Sequence, residues 1–155
     1  MKQGFKLLDN IREKTIVITC KDSLYMNNFI KNNNIILCTF FNEIALKENS
    51  LDLAYFNYCI TEENVKKVII TGHYDCSERL YPLQKEKNII KQLKKLNNYP
   101  FSRINYNNPK LIIWLDVINK MNTLLKMETI IDNDVLVKGM IINEKQNYAV
   151  EEINF

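Results

Sequence analysis

His73 is the only histidine in the chain, and it stands three residues before a thiol in Gly72-His73-Tyr74-Asp75-Cys76. An imidazole and a thiolate at that spacing can grip one metal ion at the end of a strand. A second thiol opens the upstream segment Cys20-Lys21-Asp22-Ser23. Two thiolates and an imidazole form a Cys2His donor set, which suits zinc. Three protein ligands with an open position is the catalytic pattern, and four is the structural one. Asp22 and Asp75 stand close by, as a fourth ligand or as groups that hold the ligands in place. The same three side chains would also serve as a core histidine and two core thiols, and spacing alone leaves both readings open.

The elements that must carry these residues are legible as alternating strands and helices. Lys14 to Cys20 is a strand, β-branched from Thr15 to Thr19. Ile35 to Phe41 is a second strand and Val65 to Thr71 a third. Ser50 to Ile60 reads as a helix with Ser50 as N-cap and with Leu51, Leu53, Ala54 and Tyr58 at helical spacing. Residues 3–12 form a short amphipathic helix. Gln84 to Asn97 forms another, with Ile89, Ile90, Leu93 and Leu96 opposite its lysines. Pro109 to Met127 is a long helix with proline suited to its first turn. Val135 to Ile142 is a fourth strand, with Tyr148 to Ile153 pairing as a hairpin. Short, almost wholly apolar strands indicate a parallel sheet covered on both faces, hence an α/β fold. Sites in such sheets form at the carboxyl ends of the strands. If the first and third strands are neighbours, Cys20, His73 and Cys76 converge on one crevice.

Composition narrows the function. The chain has 155 residues, 46% of them hydrophobic, which fits one folded domain over 1–155. No apolar run reaches the roughly 18 residues that span a bilayer. The N-terminal segment lacks an apolar h-region, so a cytoplasmic protein is expected, without membrane partners. Net charge is only +3. Lys91, Lys94 and Lys95 are the densest basic cluster, and without interleaved arginines or aromatics they read as a solvated face, not a nucleic-acid surface. Cys38 and Cys59 fit small core residues. No Cys-x-x-Cys pair occurs, so a thioredoxin-type redox motif is absent. Ser23 and Ser77 have no adjacent base to make them nucleophiles. Trp114, within Leu111-Ile112-Ile113-Trp114-Leu115, fits the core or a dimer interface.

Cys20-Lys21-Asp22-Ser23 and Gly72-His73-Tyr74-Asp75-Cys76 resemble the two metal motifs of the β-class carbonic anhydrases, Cys-x-Asp-Ser-Arg and Gly-His-x-x-Cys-Gly. The helix from Ser50 resembles the one that the family places before its Gly-His strand. Val135 to Ile142 followed by Tyr148 to Glu152 is similar to its closing hairpin. The resemblance covers most of the chain in outline and is sharp only at the two motifs. It implies a mostly parallel central sheet flanked by helices, Zn2+ bound by Cys20, His73 and Cys76, and a homodimer or higher homo-oligomer. The implied reaction is reversible hydration of carbon dioxide to bicarbonate by hydroxide formed at zinc. Asp22 matches the aspartate that accepts the hydroxide's proton.

The departures bear on activity. Where the family has arginine after Asp-Ser, this chain has Leu24, and Ser77 replaces the glycine after the second cysteine. Phe40-Phe41-Asn42-Glu43-Ile44 stands where the family has Arg-Asn-Ala-Gly-Asn, and the N-terminal arm is reduced to about a dozen residues. The family's arginine holds its aspartate off the metal. Without it, Asp22 can become the fourth ligand and close the site. Two outcomes follow: a working anhydrase whose second shell is reorganised, with Arg79 or Arg103 as the available cations, or a silent zinc-binding relative that serves a binding or assembly role.

Overall fold

Four parallel strands and one antiparallel strand form a single sheet in the order β2-β1-β3-β4-β5. Its strands are β1 (Thr15–Ile18), β2 (Ile35–Cys38), β3 (Lys67–His73), β4 (Leu136–Asn143) and β5 (Ala149–Ile153). The computed structural model describes residues 7–20, 30–39, 50–74, 109–146 and 149–153. The helix expected over Gln84 to Asn97 lies outside them.

The β-branched runs explain the sheet. Ile16, Val17 and Ile18 are all buried, and neighbours in sequence go to opposite faces. Ile16, Ile18, Val68, Ile70 and Ile141 share one core. Val17, Ile69, Met140 and Ile142 share the other with Leu8. Both faces are covered, as near-continuous apolar strands require. β1 pairs in parallel with both β2 and β3, with Ile18 opposite Cys38 and Ile70. β3 pairs in parallel with β4, placing His73 opposite Ile142, and β5 closes the sheet as the expected antiparallel hairpin.

Two helices follow the sequence pattern closely enough to be recognised, with differences of detail, and a third is added to them. Helix α1 (Leu51–Thr61) is capped by Ser50, whose side chain accepts from Leu53 N at 3.1 Å. Its buried face is Phe56, Cys59 and Ile60. The set Leu51, Leu53, Ala54 and Tyr58 is not the core face, since Leu51 is 89% exposed and Tyr58 51%. Helical spacing names a face, and the sheet chose the one on the opposite side of the helix. Helix α2 (Pro109–Leu125) lays Ile113, Trp114, Val117, Ile118 and Met121 on the sheet, and Trp114 is core. Helix α3 (Glu128–Asp132), only five residues long, was not anticipated.

Two glycines allow α2 to approach the sheet. A β-carbon on Gly72 would lie 2.6 Å from Ile113 Cγ2 and 2.8 Å from Val117 Cγ2. One on Gly139 would meet Met121 Sδ at 2.7 Å. Asn32 ties the N-terminal segment to the sheet. Its Nδ2 donates to the carbonyls of Leu8, Asp9 and Ile11 at 3.1, 3.2 and 2.7 Å, tying the helical turn over 7–9 to the start of β2.

Candidate metal centre

The chain runs from β1 outward to β2, then returns to place β3 on the other side of β1. That reversal makes the carboxyl ends of β1 and β3 a topological switch point, where a crevice opens in an α/β sheet. Cys20 lies two residues beyond β1, and His73 is the last residue of β3. The strand ends are fixed just below the crevice. Thr71 Oγ1 donates to Ile18 O at 3.0 Å, and Thr19 N donates to Cys38 O at 2.9 Å.

On this base the two side chains meet: Cys20 Sγ lies 2.8 Å from His73 Nε2. The other ring nitrogen, Nδ1, lies 2.6 Å from Glu144 Oε1. Glu144 begins the 3-10 turn Glu144–Gln146 that follows β4. The turn is shaped by Lys145 N donating to Asn143 Oδ1 at 3.1 Å. Histidine and glutamate are both largely removed from water, with side chains 6% and 16% exposed.

The carboxylate decides the histidine's proton. An ionised carboxylate only accepts, so His73 Nδ1–H donates to Glu144 and Nε2 is left to face Cys20. Burial acts to lower the His73 pKa, but hydrogen bonding to Cys20, the charge of Cys20 and the Glu144 carboxylate act the other way. The balance holds the imidazole above its usual value. Cys38 shows the contrary case: burial, with Cys59 and Asp52 nearby, pushes its thiol up to about 12. Cys38 is an inert core residue, as its apolar run implies.

The pair has the donor chemistry of zinc, a sulfur and an imidazole nitrogen. Tetrahedral zinc with Zn–S about 2.3 Å and Zn–N about 2.0 Å sets those atoms about 3.5 Å apart. From 2.8 Å the pair needs only a small opening to admit the ion. Among the described residues no group of three or more His, Cys, Asp and Glu side chains is arranged to hold a metal ion. Cys76 and Asp22 lie outside the described residues, as do Leu24, Asp75, Arg79 and Arg103. Glu144 was missed in the sequence. Its signal was its position: like Cys20 and His73, it is a polar residue at the carboxyl end of an apolar parallel strand.

No protein-family model matches the sequence, and no curated protein matches it at a significant level. Solved structures do match in fold. A mutant of the β-carbonic anhydrase CafD of Aspergillus fumigatus superposes with TM-score 0.63 at 14% identity, covering 96% of both chains. A structure from work on two tetrameric β-carbonic anhydrases of Sordaria macrospora gives TM-score 0.63 at 16% identity, covering 97% of this chain and 85% of that one. The Coccomyxa β-carbonic anhydrase in complex with acetazolamide gives 0.61 at 13% identity, covering 91% and 72%. The chain therefore has the β-carbonic anhydrase fold, a mostly parallel sheet flanked by helices.

Proposed function

We propose that this chain is a zinc-dependent carbonic anhydrase of the β class, a single-domain lyase that reversibly hydrates carbon dioxide. The observation that carries the reading is the approach of Cys20 Sγ to His73 Nε2, 2.8 Å apart at the switch point of a sheet with that fold. Cys20, His73 and Cys76 are the ligands in this reading, with Cys76 placed by its spacing from His73. A zinc ion there supplies activation of water near neutral pH. The chain's own residues do the remaining work. Two thiolates offset the ion's charge, His73 keeps its proton on Nδ1, and Asp22 accepts the hydrogen bond that orients the nucleophile. Carbon dioxide takes up one water and leaves as bicarbonate, releasing one proton.

The expected protein is a cytoplasmic homodimer or higher homo-oligomer, acting on a small molecule and on neither nucleic acid nor membrane. In support, β-carbonic anhydrases of similar fold include tetrameric ones. Among the described residues no helix is long and apolar enough to cross a membrane.

Leu24 favours a second reading. It stands where the resembling family has the arginine that restrains the aspartate, so Asp22 is free to take the fourth zinc position and silence the site. Zinc content and carbon dioxide hydration, measured on the natural chain and on Leu24→Arg, separate the two. Zinc near one per chain with turnover in the natural chain supports the enzyme. Zinc with turnover only in Leu24→Arg supports the silent site. A chain that takes up no zinc contradicts both.

A further inference from the structure

We propose that Glu144 is the positioning residue of the metal centre: its carboxylate fixes the His73 ring and tautomer so that Nε2 is presented to the ion. This rests on the zinc reading above and adds a residue to it. The geometry is direct. Glu144 Oε1 lies 2.6 Å from His73 Nδ1, while Nε2, on the far side of the ring, lies 2.8 Å from Cys20 Sγ. A ring held at both nitrogens has one orientation, and one of its partners is a group that can only accept.

The backbone explains why residue 144 arrives there. His73 pairs with Ile142 in the parallel register of β3 and β4. Two residues later the chain has turned at Asn143, whose side chain accepts from Lys145 N. That turn brings the glutamate back over the end of β3. Metal-binding histidines usually donate their second N–H to a carboxylate or carbonyl, which orients the ring and makes it a better ligand. Here the carboxylate comes from a different strand than either described ligand. The centre is thereby tied to three adjacent strands, β1, β3 and β4.

Because His73 is the only histidine, labelling histidine with nitrogen-15 gives just one pair of ring signals. The full chain is compared with Glu144→Gln, which can still accept the bond without charge, and with Glu144→Ala, which cannot. Ring signals are recorded in the metal-free and zinc-loaded states, and zinc affinity is measured by chelator competition. In the loaded natural chain the expected pattern is a protonated Nδ1 and a metal-bound Nε2. Glu144→Ala is expected to bind zinc roughly 10–100-fold more weakly. Glu144→Gln should recover part of that loss, a rescue that general destabilisation would not produce.

Natural affinity and unchanged ring signals in Glu144→Ala would overturn the proposal, as would metal at Nδ1. If Glu144→Ala fails to fold, Glu144→Gln decides: natural affinity with an unmoved Nδ1–H signal overturns it, and weaker binding with that signal shifted upfield supports it. If the natural chain binds no zinc, the zinc reading fails by itself. The metal-free ring signals then judge Glu144: a changed tautomer balance in the variants supports its role, and an unchanged one overturns it.

Discussion

Cys20 and His73 come from different strands, so each can be altered without moving the other's backbone. Cys20→Ser should weaken zinc binding by more than the roughly 10–100-fold expected for an outer partner. Chelator competition checks this, and circular dichroism should show the fold retained. Cys38 serves as the contrast within the same sheet. Its thiol is pushed from 9.0 to about 12 in the folded chain, so the folded state holds its proton where the unfolded state has lost it. Its contribution is therefore fully present below pH 9 and is lost as pH rises toward 12. The slope it adds is at most about 1.4 kcal/mol per pH unit. Denaturant unfolding followed by Trp114 fluorescence should show stability falling over that window, with a shallower fall in Cys38→Ala. At this scale His73 was legible because it is unique and flanked by a thiol. Glu144 was not, because its bond to His73 spans 71 residues and depends on register that one strand's pattern does not encode.

Helix α2 packs on the sheet through contacts that a single methyl would disturb. Gly72 precedes His73, and its missing side chain lets Ile113 and Val117 close on β3. Gly72→Ala should cost about 1–3 kcal/mol by overpacking. It should also weaken zinc binding, because the strand that must yield carries the histidine. Ser50→Ala provides the matched control. Losing the N-cap bond to Leu53 should cost about 1 kcal/mol and leave zinc affinity unchanged, since that bond lies within α1, which carries none of the proposed ligands. Denaturant midpoints with chelator competition on both variants check the pair. The existence of most elements was legible from period and capping, and Ser50 is the cap that its residue type suggests. The buried face of α1 was not legible. Leu51, Ala54 and Tyr58 match a helical stripe as well as Phe56, Cys59 and Ile60 do, and only the sheet beneath selects between them. Helix α3 is too short for a periodic pattern to register.

The sheet order gives the molecule its candidate centre. Apolar strands with intervening helices pointed to a parallel α/β fold, and the fold is found, in the β-carbonic anhydrase arrangement. Local pattern could not say that β1 and β3 are neighbours, since strand order depends on which long-range pairings the whole chain permits. Their adjacency turns two distant motifs into one pair of donors. The consequence at this scale is that the proposed metal centre is built on the switch point and depends on the intact sheet. Zinc K-edge X-ray absorption on the purified, zinc-loaded full chain tests this most directly. The account predicts one zinc per chain with a mixed shell, sulfur at about 2.3 Å and an imidazole nitrogen at about 2.0 Å, the nitrogen signal vanishing in His73→Ala. A shell of oxygen and nitrogen only, or a chain that retains no zinc, would contradict it.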